Sequence, residues 1–76
     1  MEKLLQILLG IDDEIDFEHE TALVDDGLLD SLQLLKIIAA LNNAYAIHIN
    51  AGAIEPENFN SAKAMMALVE SCMEKL

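Results

Sequence analysis

The sequence predicts an all-α protein: a small four-helix bundle with three main helices, one short helical piece, and a long loop between the first two helices. Three observations lead there. Apolar residues recur at i, i+3, i+4 spacing in three separate stretches. The one stretch with strand-like alternation, Tyr45 to Asn50, has no second strand to pair with. Seventy-six residues at 54% hydrophobic content supply one core, and residues 1–76 read as a single domain.

The elements follow in order. Leu4, Ile7, Leu8 and Ile11 form one face of a first helix, which Gly10 and the acids after it should end near Leu9 or Ile11. From Asp12 to Asp30 the period is lost. Nine of the fourteen acids lie here, interleaved with Ile15, Phe17, Leu23, Val24, Leu28 and Leu29. That mixture predicts a long ordered loop that dips apolar side chains into the core. A second helix should start at Ser31, with Asp30 as N-cap and Gln33 in the capping-box position. It carries two apolar stripes. Leu34, Ile37, Ile38, Leu41 and Tyr45 make one; Leu32, Leu35 and Ala39 make the other. A helix apolar on two faces either sits deep in the core or keeps one face for a partner, and in so small a domain the second reading gains weight.

Beyond it, Tyr45 to Asn50 reads as an extended connection, and Ala51 to Ile54 as one helical turn. Glu55 precedes Pro56 and is pushed out of the helical region. Asn60-Ser61 offers an N-cap for a last helix, whose stripe is Ala62, Met65, Met66, Val69, Met73 and Leu76.

Charge excludes several classes of function. Four basic residues against fourteen acids give a formal net charge of −10. Phosphate backbones and anionic membrane surfaces would repel such a chain, so nucleic acid is not an expected partner. No apolar run approaches the ~18 residues a membrane span requires, so no direct membrane insertion is expected. The start, Met1-Glu2-Lys3, lacks the features of a signal peptide. With Cys72 as the only cysteine, a reducing, cytoplasmic setting is expected. So is a monomer.

Catalytic patterns are missing too. Gly27-Leu28-Leu29-Asp30-Ser31 has the wrong spacing for a nucleophile elbow. No HExxH, CxxC or phosphate-cradling glycine loop occurs. Asp12, Glu14 and Asp16 imitate the first positions of a calcium loop, but Phe17 stands where glycine is needed and Leu23 where glutamate is needed. His19 and His48 have no partner ligand at metal spacing. Cys72 lies one position off the last helix's stripe, between Glu70 and Glu74, which disfavour a thiolate.

Ser31 stands apart. As the first helical residue after an Asp cap, it sits where free backbone N–H groups and the positive end of the helix dipole favour an attached phosphate. Asp25-Asp26-Gly27-Leu28-Leu29-Asp30-Ser31-Leu32 resembles the attachment motif of acyl carrier proteins, whose core is Asp-Ser-Leu at the start of the second helix. The likeness runs along the whole chain. Ile37, Leu41 and Tyr45 fall where the family has Leu, Leu and Phe. Ile47-His48-Ile49 resembles the segment leading to its short third helix, and Pro56-Glu57-Asn58-Phe59-Asn60-Ser61 the run into its last helix.

The resemblance implies a carrier rather than an enzyme. Ser31 would receive 4'-phosphopantetheine from coenzyme A through a phosphopantetheinyl transferase, with Asp30 helping that enzyme place its metal and phosphate. An acyl- or aminoacyl-loading ligase would charge the arm as a thioester, and a downstream acyltransferase or synthase would unload it. The chain departs from the fatty-acid-type pattern on its second helix, where Gln33, Lys36, Asn42 and Asn43 replace acids; no acid occurs from Ser31 through Ile54. That looks closer to stand-alone D-alanyl or aminoacyl carriers. Partners are expected to read Leu28, Leu29, Leu32, Leu35 and Ala39 by apolar contact, rimmed by Asp25, Asp26 and Asp30. The alternative from another class is an unmodified acidic helical module that docks onto a basic, groove-bearing protein.

Overall fold

The computed structural model describes residues 1–74; Lys75 and Leu76, the latter expected at the end of the last apolar stripe, lie outside the described residues. Helix α1 spans Glu2–Ile11, α2 Ser31–Tyr45, α3 Pro56–Phe59 and α4 Ala62–Glu74, with a 3-10 turn at Ala51–Ala53. Among the described residues no strand forms. The chain is a small helical bundle in which α1 packs on α2 and α4, α2 on α4, and α3 on α4.

Helix α1 ends where its sequence changes. Asp12 turns extended, and its N–H closes the last turn on the Leu8 carbonyl at 3.0 Å. Leu4 and Leu8 are fully buried, with Leu5, Ile7 and Ile11 packed at the edge of the core. Helix α2 buries Ile37, Ile38 and Leu41, while Leu34 and Tyr45 are half-buried. The second stripe stays outside. Leu32 and Leu35 are 62% and 61% exposed, and Ala39 is exposed as well.

The far end of α2 is closed by three devices. Ala46 adopts the left-handed conformation (φ 53°, ψ 45°), and its N–H donates to the Asn42 carbonyl. The same carbonyl accepts from Ile47 N–H at 3.1 Å, while the Asn42 side-chain oxygen accepts from Ile49 N–H at 2.9 Å. Lys3 of α1 supplies the positive charge that α2 lacks in its last turn. Its ammonium donates to the Ala44 carbonyl at 3.1 Å and lies 4.6 Å from the Tyr45 ring centre. The alternation after Tyr45 belongs to an extended connector: Ile47 and Ile49 point into the core, His48 and Asn50 away from it.

The loop from Asp12 to Asp30 is ordered by what it buries. Phe17, Leu23 and Leu29 join the core, with Ile15 and Val24 half-buried. A radius of gyration of 11.2 Å is about what a compact chain of this length has, so the loop is folded onto the bundle. On its outer side His19 pairs with Asp16 at 2.9 Å. Hydrogen bonding to that carboxylate, aided by the Asp16 and Glu18 charges, holds the ring's pKa above the ordinary histidine value.

Two elements differ from expectation. The helical turn expected at Ala51–Ile54 is the 3-10 turn, and a separate one-turn α-helix follows at Pro56–Phe59. Proline at the first helical position and extended Glu55 before it are its start signal. On α4, the stripe expected to run through Met73 turns instead through Cys72. Ala62, Met65 and Val69 are buried and Cys72 packs behind them, whereas Met73 is 47% exposed. On a 3.6-residue helix Cys72 and Met73 lie about 60° and 40° to either side of Val69, and it is the Cys72 side that packs on the core.

Ile37 and Leu41 are fully buried. Replacing either with alanine should lower the unfolding free energy by ~2–5 kcal/mol in urea titrations. Ala46→Gly should have the opposite sign, raising stability by roughly 1 kcal/mol, because glycine enters the left-handed region without the Cβ clash that alanine carries.

Candidate functional site

The site is built on the junction where the loop becomes α2. Asp30 is extended (φ −93°, ψ 178°), and its Oδ1 accepts from Gln33 N–H at 2.8 Å. Its backbone carbonyl accepts from Leu34 N–H at 3.0 Å. Together these bonds make Asp30 the N-cap and Ser31 the first residue of the helix. Ser31 is exposed. Among the described residues, the N–H groups of Ser31 and Leu32 meet no protein acceptor, so the end of the helix is open to an anion.

Gln33 does not complete the reciprocal capping box. Its side chain turns toward α1 and donates from Nε2 to Asp12 Oδ2 at 2.7 Å, while Asp12 Oδ1 accepts from Glu14 N–H at 3.0 Å. One carboxylate thus ties the end of α1 to the start of α2.

The chain before the serine is held from the opposite side. Asn60, between α3 and α4, accepts at its side-chain oxygen from Val24 N–H at 2.9 Å and Asp25 N–H at 3.0 Å. Its Nδ2 donates to Asp25 Oδ2 at 3.0 Å, and its backbone carbonyl accepts from Leu23 N–H at 2.9 Å. The segment then turns sharply. Gly27 takes φ +73°, a conformation that disfavours any side chain, and donates to the Val24 carbonyl at 3.0 Å. Leu29 N–H closes back on the Leu23 carbonyl at 3.0 Å.

That closure corrects one expectation. Leu29, expected to meet partners, is 5% exposed and belongs to the core beside Leu23. The turn rolls it inward and leaves Leu28 outside at 40% exposure. Leu28, Leu32, Leu35 and Ala39 are exposed as expected, and so are Asp25, Asp26 and Asp30. Asp25 is partly engaged by Asn60. Sequence reasoning missed the Asn60 clamp, having given Asn60 only a place in the N-cap pair Asn60-Ser61. The cap falls to Ser61, whose Oγ accepts from Ala64 N–H at 3.0 Å.

A pocket of about 100 Å³, lined by Leu5, Leu9, Ile15, Asp16, Phe17 and Glu18, belongs to α1 and the loop rather than to the serine. Among the described residues no cluster of three or more His, Cys, Asp or Glu side chains could hold a metal ion. None of the described helices is long and apolar enough to cross a membrane. The chain matches no protein-family model, no curated protein and no solved structure.

Asn60→Ala removes three side-chain hydrogen bonds and leaves the Leu23–Asn60 backbone bond in place. It should speed amide exchange at Val24 and Asp25 while sparing Leu23, and lower stability by about 1–2 kcal/mol. Unchanged exchange at all three amides would show that the loop is held by its buried leucines alone.

Proposed function

We propose that the protein is a carrier of the acyl-carrier kind, on which Ser31 is the attachment point for 4'-phosphopantetheine. The observation that carries the reading is the exposed Ser31 hydroxyl on the first residue of a 15-residue helix, directly after an aspartate whose side chain caps that helix. The Asp-Ser-Leu triplet and the all-helical layout agree with it.

The residues present fit the group. A phosphodiester on Ser31 Oγ would carry one negative charge at the positive end of α2, beside the unpaired N–H groups of Ser31 and Leu32. The Asp30 carboxylate opposes it by charge. That effect is blunted because Oδ1 already accepts from Gln33 N–H, while among the described residues Oδ2 meets no donor. Oδ2 is therefore the atom free to face a metal ion brought by the modifying enzyme.

In the transfer, Ser31 Oγ bonds to the pantetheine-side phosphorus of coenzyme A. The phosphoanhydride bond breaks, adenosine 3',5'-bisphosphate leaves, and the serine proton passes to a base of the transferase or to solvent. When bound, the group supplies a terminal thiol that holds an acyl or aminoacyl cargo as a thioester. The chain's own part is positional. Asp30 fixes the serine at the helix tip, while Gln33–Asp12 and Asn60–Asp25 brace that tip from both sides. The work of loading and unloading falls to a ligase and to an acyltransferase or synthase.

Incubation with coenzyme A and a broad-specificity phosphopantetheinyl transferase should add the mass of one phosphopantetheine. Ser31→Ala should abolish the addition and leave the melting temperature within about 2 °C, since an exposed first-turn hydroxyl makes little contribution to stability. Addition at another residue, or none, contradicts the reading.

A further inference from the structure

The pocket between α1 and the loop lies apart from the serine. It holds about 100 Å³, and its wall is mostly apolar. Leu5 and Leu9 stand at i and i+4 on α1 and so share one face of the helix. The loop brings Ile15 and Phe17 to the same pocket. Phe17 is fully buried, Leu5 and Ile15 are half-buried, and Leu9 is 42% exposed. Asp16 and Glu18 also line the pocket, and both are exposed. Over residues 15–18 the loop therefore alternates: apolar side chains turn in, and carboxylates stay at the water side.

The charge around this pocket is one-sided. Residues 12–30 hold nine acids and no lysine or arginine. Asp16 is engaged by His19 at 2.9 Å, whereas among the described residues the Glu18 carboxylate meets no cation and no hydrogen-bond donor. Lys3, on the same helix as Leu5 and Leu9, is turned away to the Ala44 carbonyl and the Tyr45 ring. Size and charge together select the occupant. A free drug-sized ligand fills roughly 300–1,000 Å³, several times the space present. An apolar cavity of ~150 Å³ takes one benzene, so this pocket suits a single aliphatic side chain presented by a larger molecule. An anionic group would be repelled by Asp16 and Glu18, and a second copy by its own net charge of −10. A lysine or arginine beside the aliphatic group answers Glu18 and the field of the loop.

We infer that the α1–loop pocket is a docking site for a basic segment of a partner protein, which seats one leucine- or isoleucine-sized side chain against Leu5, Leu9, Ile15 and Phe17 and sets a lysine or arginine beside Glu18. The apolar group fixes where the segment binds, and the acids of the loop speed its arrival. The pocket uses neither Ser31 nor the exposed face of α2, so it acts whether or not Ser31 carries a group.

The test titrates the full chain with an acetylated, amidated peptide that carries one leucine between two lysines, read by methyl NMR shifts. Saturable shifts should centre on Leu5, Leu9 and Ile15. The same peptide with serine for leucine should bind about tenfold more weakly, and so should the one with glutamine for both lysines. Leu9→Ser should weaken binding about fivefold with the melting temperature kept, because the side chain is already 42% exposed. Glu18→Lys should weaken it about fivefold as well. Glu70→Lys makes the same change in net charge on α4, outside the pocket lining, and should cost less than about twofold. Shifts centred on Leu28, Leu32 and Leu35 would move the docking site to α2 and overturn the inference. Equal affinity for the serine peptide, or equal loss in Glu18→Lys and Glu70→Lys, would reduce the binding to diffuse charge attraction and overturn it too. So would a chain that shows no saturable shift, or one whose Leu5, Leu9 and Ile15 methyls shift with its own concentration alone, which would assign the pocket to a second copy.

Discussion

The hydrogen bond from Gln33 N–H to the Asp30 carboxylate, 2.8 Å long, decides where α2 begins, and the rest of the site follows from that position. It makes Asp30 the last extended residue and Ser31 the first helical one. A serine one position earlier would itself be the cap, its hydroxyl turned back onto the helix. A serine one turn later would be free to bond back to the preceding carbonyls. At the first helical position the hydroxyl is exposed, and the neighbouring N–H groups are still unpaired. The surrounding bonds hold that position. Asp12 receives the Gln33 side chain from below, and Asn60 pins Val24 and Asp25 on the approach to the serine.

A second constraint is the size of the chain. Among the described residues fourteen apolar ones are buried, and the Asp12–Asp30 loop supplies Phe17, Leu23 and Leu29 to them. With those three in the shared core, α2 buries only Ile37, Ile38 and Leu41 on its inner face. Its outer leucines are surplus to folding.

Much of this was legible in the sequence. Helical spacing placed α1, α2 and α4, and the Asp-Ser junction placed the start of α2 to the residue, because capping chemistry is local. What escaped was long-range or depended on the direction of a single side chain. Leu28 and Leu29 are adjacent and chemically identical. Only the turn at Gly27, with Leu29 N–H closing on the Leu23 carbonyl, determines which one is buried. The Asn60 clamp joins residues 35 and 36 positions apart, and nothing near Asn60 in the chain announces it. The Gln33 side chain fits a capping box by spacing, yet it donates instead to the Asp12 carboxylate just past the end of α1. Met73 and Cys72 flank the α4 stripe at similar angles on opposite sides, so spacing alone does not say which of them the core takes.

The central claim is that this helix tip is a tether. The most direct measurement is the intact mass of the protein isolated from the cells that make it, followed by fragmentation to locate any added group. The account predicts a population heavier than the polypeptide by one phosphopantetheine, with or without cargo, on Ser31. A protein that invariably carries the bare mass of its amino acids would contradict it.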